Sequence, residues 1–155
     1  MENTDKTLMQ LEQIDEFINS DLNNKLKLDI HFQRDVFDID FKNHRTDEIK
    51  NLNPSDYEIV DLNLDKVFHA VFSKIEPYYE LSFSKDSLLC DTHMAKLIEF
   101  IEKGNLLAPP ILELAGKTII LRDGKHRMGL LRFLKFKSIP FLVKKNSAKN
   151  FTYLI

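Results

Sequence analysis

The chain has 155 residues, of which 43% are hydrophobic and 30% are charged. This length fits one domain of ordinary size, and the composition excludes a chain that is disordered overall. Because there is one cysteine, an internal disulfide and a metal site built from thiolates alone are excluded, which favours a reducing compartment. The N-terminus lacks the basic and apolar regions of a signal peptide, and no segment reaches the roughly 18 apolar residues of a membrane span. We therefore expect a cytoplasmic protein that does not cross a membrane.

The charge is distributed unevenly along the chain. Residues 1–90 contain 10 basic and 19 acidic side chains, for a net charge of −9, whereas residues 91–155 contain 12 and 5, for a net charge of +7. A basic C-terminal half suits an anionic ligand, and the acidic half opposes broad coverage by nucleic acid. An alternative is that the two halves attract each other within one fold, which is compatible with an anionic ligand.

Residues 1–56 are predicted to form an N-terminal extension. Apolar side chains recur at helical spacing over residues 7–20, which predicts a helix. Residues 26–41 alternate imperfectly between apolar and polar, which predicts two strands joined near residues 33–35. Residues 42–56 are polar, contain Pro54 and resemble a connector, so we place the boundary of a core domain, residues 57–155, after them. The extension is a candidate surface for a protein partner.

The core domain is predicted to belong to the α+β class, with a small mixed sheet and packed helices. Gly104 sits where the left-handed residue at a helix end is expected, and Ala115-Gly116 predicts a tight turn between two strands. Pro140 is expected to open the last strand, since strand prolines favour first or edge positions. In chain order we expect a strand at 57–62, helical spacing from Val67 until Pro77, a helix at 91–103, a hairpin of 111–114 and 117–121, a helix at 125–136 and a strand at 141–143.

The segment Arg122-Asp123-Gly124-Lys125-His126-Arg127 carries the strongest functional signal, because it joins a strand directly to a helix. The first turn of a helix has amide groups without helical partners and a partial positive charge, which favour an anion. Three basic side chains on that same turn repel one another and oppose the dipole, a conflict typical of a functional site. A phosphate group resolves the conflict, and Gly124 permits both a tight turn and close approach of a ligand.

Asp123 has two interpretations in the sequence. It is either the N-cap of the helix, accepting a backbone N–H, or a functional carboxylate. In the second case it would bind Mg²⁺ or activate a substrate hydroxyl beside the phosphate, because a bare carboxylate would repel the phosphate. The other histidines (His31, His44, His69 and His93) have no spacing that indicates a metal cluster.

Residues 94–143 resemble the ParB/sulfiredoxin-like superfamily. The shared pattern is a helix ending in glycine, a proline-containing lead into a hairpin, a turn of the Gly-x-His-Arg type, which is preceded by Asp in kinase-like members, a helix, and a strand introduced by Ile-Pro. The chain has these features at Gly104, Pro109-Pro110, Asp123–Arg127 and Ile139-Pro140. The resemblance implies a small fold whose turn binds nucleotide phosphates, in a group that includes sulfiredoxins, free-serine kinases, CTP-binding chromosome-partitioning proteins and nucleases.

The resemblance implies that Gly124, His126 and Arg127 contact phosphates and that Asp123 lies close to the chemistry. The serine kinases use a further glutamate, for which Glu58 or Asp61 on the first strand would stand in. Lys125 replaces the cysteine of sulfiredoxins, so reduction of a sulfinic acid is not expected.

The leading hypothesis is thus a protein that binds ATP or another NTP with Mg²⁺, acting as an NTPase or phosphotransferase. The alternatives are a DNA-binding protein or nuclease, and a non-catalytic module that binds a protein partner. The candidate catalytic residues are Asp123, His126, Glu58 and Asp61, the candidate nucleotide-binding residues are Gly124, Lys125, His126 and Arg127, and the candidate metal ligand is Asp123.

Overall fold

A computed structural model of the chain describes residues 28–42, 44, 46–72 and 92–155. These residues form a four-stranded mixed sheet with packed helices, which confirms the predicted α+β class. The helix predicted over residues 7–20 and the expected helix end at Pro77 lie outside the described residues. None of the helices in the described part is both long enough and apolar enough to cross a membrane. The strands are β1 (Tyr57–Asn63), β2 (Ile111–Ala115), β3 (Thr118–Asp123) and β4 (Ser138–Lys144), and the helices are α1 (Asp47–Lys50), α2 (Leu64–Phe72), α3 (Thr92–Glu102) and α4 (Lys125–Phe133).

The sheet consists of two antiparallel ribbons joined at one position, in the strand order β1-β4-β2-β3. Strands β1 and β4 pair along their whole length, and β2 and β3 form the predicted hairpin. The two ribbons meet where Ile111 of β2 pairs in parallel with Leu142 of β4. Strands β1 and β3 are therefore the two edges of the sheet, and the turn that follows β3 lies at one of them.

The expectation that Pro140 opens its strand is wrong. Pro140 is the third residue of β4, which begins at Ser138 and lies inside the sheet. The strand tolerates it because β2 begins only at Ile111, opposite Leu142, so no residue of β2 pairs with β4 at the level of Pro140. On its β2 side Pro140 therefore has the environment of an edge strand, where a missing N–H breaks no hydrogen bond between strands.

The two faces of the sheet are covered by different parts of the chain. Helices α2 and α4 pack on one face through Phe68 and Met128, which are fully buried. Phe41 and Ile49, which precede β1, pack on the other face against Leu142. Since neighbouring residues of a strand point to opposite faces, β1, β2 and β4 each contribute to both clusters, whereas β3 contributes to the first one. The segment before β1 therefore lies over the face opposite α4.

The two strands predicted between residues 26 and 41 are wrong for the described residues 28–41. The chain there makes a single isolated bridge, between Phe32 and Leu107, followed by a 3₁₀ turn at Val36–Asp38. Asp35 explains the turn, because its carboxylate accepts a hydrogen bond from the backbone N–H of Phe37 and caps it. The predicted connector at residues 42–56 contains α1 and a second 3₁₀ turn at Pro54–Asp56.

Candidate phosphate-binding site

Gly124 forms the turn between β3 and α4. Its φ is +101° and it occupies the N-cap position of α4, where its carbonyl accepts the N–H of Met128 at 2.8 Å. A Cβ atom added to Gly124 would lie 2.7 Å from Cβ and 2.8 Å from Cα of Pro110. The glycine is therefore needed both for its left-handed backbone and for the close approach of Pro110. The sequence predicts the close approach of a ligand at Gly124, and the structure shows a close approach of Pro110 on its Cβ side.

The Asp123 carboxylate is held by two basic side chains. Its Oδ2 lies 2.9 Å from Nη2 of Arg127, which donates a hydrogen bond to it, and 3.2 Å from Nε2 of His44. The N-cap alternative for Asp123 is wrong, because the N-cap is Gly124, which has no side chain. The carboxylate instead connects the turn to the start of α4 and to the segment that precedes α1.

Arg127 fixes the turn from inside the protein. Its Nη1 donates a hydrogen bond of 2.7 Å to the carbonyl of Ala108, and its side chain is 16% exposed. Burial lowers the pKa of Arg127 and the Asp123 carboxylate opposes that shift, but a guanidinium stays protonated at any physiological pH. Arg127 thus joins Asp123, the start of α4 and the chain that leads into β2.

His44 is a member of this cluster that the sequence interpretation missed. Its Nδ1 lies 3.1 Å from the backbone N of Thr46, and because a backbone N–H only donates, Nδ1 is the acceptor. In the neutral ring the proton is then on Nε2, which donates to Asp123. No local pattern marks this residue, since His44 lies in a polar segment far along the chain from Asp123. It is the fold of that segment over the sheet that brings the two together.

Lys125 and His126 complete the turn. Both lie in the first turn of α4, which contains no acidic residue. Lys125 is exposed and His126 is half-buried. The positive end of the helix dipole and these two side chains therefore coincide, and Asp123, which precedes the turn, is paired with Arg127.

Glu58 and Asp61 lie on β1, at the other edge of the sheet from Asp123, with β4 and β2 between them. By strand alternation the two residues face opposite sides of the sheet. Asp61 forms an exposed ion pair with Arg34, with 2.8 Å between the carboxylate oxygen and Nη1. The sheet order therefore does not bring either carboxylate to the turn, and the fold adds no support for their catalytic role.

Arg122, the first residue of the predicted motif, points away from this cluster. Its guanidinium makes two hydrogen bonds to the carboxylate of Glu113, its neighbour across the hairpin, and Nη1 lies 3.5 Å from Glu48. The hydrogen bond from Arg122 lowers the pKa of Glu113, and Glu113 raises that of Arg122. Arg122 therefore stabilises the hairpin and its charge is matched by acidic neighbours.

The described residues contain no group of three or more His, Cys, Asp or Glu side chains placed to hold a metal ion. Comparisons of the chain with models of known protein families, with curated proteins and with solved structures found no match.

Proposed function

We propose that the chain binds the phosphate groups of a nucleotide at the turn Asp123–Arg127. The observation that carries the proposal is the first turn of α4, where Lys125 and His126 add to the dipole with no acidic residue among them and with a glycine at the N-cap. Positive groups at the positive end of a helix are unfavourable unless an anion is present. The resemblance to the ParB/sulfiredoxin-like superfamily supports a nucleotide as the source of that anion.

The proposal divides the basic residues of the turn into two roles. Lys125 and His126 bind the phosphate, whereas Arg127, held by Asp123 and the Ala108 carbonyl, positions the turn. The carboxylate of Asp123 already contacts Arg127 and His44, so a metal ion at the turn would share this one carboxylate with them. Mg²⁺ commonly binds through one or two carboxylates together with substrate phosphates and water. Mg²⁺ is accordingly proposed to arrive with ATP or another NTP, with Asp123 as its one protein ligand.

The test is calorimetric titration with ATP, ADP and CTP in the presence of Mg²⁺. We expect saturable binding to the wild type and a loss of at least about tenfold in affinity in the double variant Lys125→Gln/His126→Gln, since hydrogen bonds to charged groups contribute about 1.5–3 kcal/mol each. Lys117→Gln is the matched control, because Lys117 is an exposed lysine in the turn of the hairpin and should leave the affinity unchanged. Equal affinities of the wild type and the double variant, or no binding by the wild type, would refute the proposal.

Hydrolysis or transfer of a phosphate is the enzymatic form of this proposal. Asp123 lies at the turn, and in this form of the proposal its carboxylate accepts a proton from an attacking hydroxyl or water there. Nucleotide turnover should then be lost in Asp123→Asn while the turn stays folded, because asparagine retains an oxygen that accepts the Arg127 hydrogen bond. A variant that keeps wild-type turnover would limit the proposal to binding.

A further inference from the structure

His44 reaches the turn Asp123–Arg127 from a separate part of the chain. It belongs to the segment that lies over the face of the sheet opposite α4, and in the sequence it stands between the buried side chains of Phe41 and Ile49. The backbone N–H of His44 donates to the carbonyl of Phe41 at 3.2 Å, so the chain turns between these two residues. The packing of Phe41 and Ile49 on the sheet therefore fixes where His44 lies.

Both ring nitrogens of His44 already have partners. Nδ1 accepts the backbone N–H of Thr46 and lies 3.0 Å from the hydroxyl oxygen of the same residue, which leaves the proton of the neutral ring on Nε2. Nε2 lies 3.2 Å from Oδ2 of Asp123. The ring thus has no nitrogen left for a substrate, and His44 is placed to act on Asp123 instead.

The two basic side chains at Asp123 converge on one of its two oxygens. Nη2 of Arg127 donates to Oδ2 at 2.9 Å, and Nε2 of His44 contacts the same atom. No donor among the described residues contacts Oδ1, and none of their buried polar side-chain atoms lacks a partner, so Oδ1 is open to solvent. Since a carboxylate oxygen accepts about two hydrogen bonds, Oδ2 is fully used and Oδ1 keeps its capacity. Such an oxygen fits Mg²⁺, which binds through one or two carboxylates together with phosphates and water.

We propose that His44 is a positioning residue of the phosphate site, which holds Oδ2 of Asp123 together with Arg127 and so presents Oδ1 to the Mg²⁺ that accompanies the nucleotide. The inference rests on the proposed function, in which Asp123 is the one protein ligand of that ion. Carboxylate ligands of metals are themselves held by hydrogen bonds, and the loss of such a partner typically weakens metal binding about 10- to 100-fold. The segment before β1 therefore supplies a part of the site that the turn alone lacks.

Two substitutions separate the roles of the two ring nitrogens. His44→Asn places an amide oxygen near the position of Nδ1, so it keeps an acceptor for the N–H of Thr46 and loses the contact with Asp123. His44→Gln reaches further and places an amide N–H near the position of Nε2, so it keeps a donor for Asp123 and loses the acceptor for Thr46. The first variant therefore tests the positioning of the carboxylate, and the second is its conservative rescue.

The experiment is calorimetric titration of the full chain with ATP, once with Mg²⁺ and once with EDTA. We expect Mg²⁺ to strengthen ATP binding to the wild type at least about tenfold, and His44→Asn to abolish most of this gain. The affinity for metal-free ATP should be unchanged in His44→Asn, because Lys125 and His126 bind the phosphates in both conditions. His44→Gln should retain most of the gain. A merely structural role of His44 would instead weaken ATP binding equally with and without Mg²⁺.

His31→Asn is the matched control. His31 also lies beside an aspartate, with 2.7 Å between Nε2 and Oδ1 of Asp29, but its side chain is 65% exposed and it is not part of the turn. The gain from Mg²⁺ should therefore be that of the wild type.

The outcomes distinguish this inference from the proposed function. A wild type that binds ATP without any gain from Mg²⁺, a gain that persists in His44→Asn, or equal losses with and without Mg²⁺ would each overturn the role of His44 and leave nucleotide binding at the turn intact. Equal loss of the gain in His44→Asn and His44→Gln would also overturn it, because the donor to Asp123 would then not be what matters. Failure of the wild type to bind ATP at all refutes the proposed function, and the inference falls with it.

Discussion

Replacing Gly124 by alanine should destabilise the protein for two separable reasons. At a φ of +101° an alanine is forced into backbone space that L-residues avoid, at a cost of about 1–2 kcal/mol. Its Cβ would also lie 2.7 Å from Cβ and 2.8 Å from Cα of Pro110, which requires backbone movement. Overpacking of this kind costs about 1–3 kcal/mol. The free energy of unfolding should therefore fall by about 2–5 kcal/mol, the sum of the two estimates.

Gly116→Ala provides the matched control for this prediction. Gly116 has a φ of +66°, and a Cβ added there meets nothing within 4 Å, so only the backbone cost of about 1–2 kcal/mol applies. Alanine also reduces the entropy of the unfolded chain, by a similar amount in both variants. Urea unfolding of the two variants should thus differ by about 1–3 kcal/mol, the contribution of Pro110. Equal destabilisation would show that Pro110 does not restrict the turn.

Two further predictions concern charged pairs. Arg127→Gln should lower the free energy of unfolding by on the order of 2–4 kcal/mol, somewhat less than the loss of a fully buried pair, because Asp123 is 30% exposed. Arg34→Gln breaks an exposed pair and should lower it by no more than about 1 kcal/mol. Similar losses for the two variants in urea unfolding would contradict this prediction. Glu113 has a lowered pKa in the folded state, so its contribution to stability is present above its ordinary pKa of 4.5 and is lost as the pH falls through the folded value. In Arg122→Gln the midpoint of the Glu113 carboxyl titration, followed by NMR, should move up toward that ordinary value, and an unchanged midpoint would refute the assignment.

Local patterns were sufficient to predict most elements of the core domain. The hairpin follows from two short apolar runs around Ala115-Gly116, and the structure places its two-residue turn at Gly116 and Lys117. Gly104 adopts the positive φ expected at a helix end, and Gly124 has a positive φ in the tight turn that was predicted for it. These features depend on the backbone preferences of a few adjacent residues, which are visible in the sequence.

Features that depend on residues distant in the chain were not predictable. The alternation over residues 26–41 indicates strands only if a partner strand is available, and the described chain instead folds into a turn capped by Asp35. The contact of His44 with Asp123 and that of Pro110 with Gly124 exist because separate segments meet at one edge of the sheet. Neither pair has a spacing or a composition that marks it, so both required the tertiary structure.

The arrangement of the turn argues against a direct role of Arg127 in binding phosphate, although the superfamily resemblance implies one. A phosphate that drew Arg127 away from Asp123 would leave a partly buried carboxylate beside a second anion, with His44 as its remaining partner. It would also break the hydrogen bond to the Ala108 carbonyl. In the proposed site Lys125 and His126 would bind the anion without either loss, because they lie on the first turn of α4 ahead of Arg127. The proposed phosphate binding at this turn therefore requires that the Asp123–Arg127 pair stay intact.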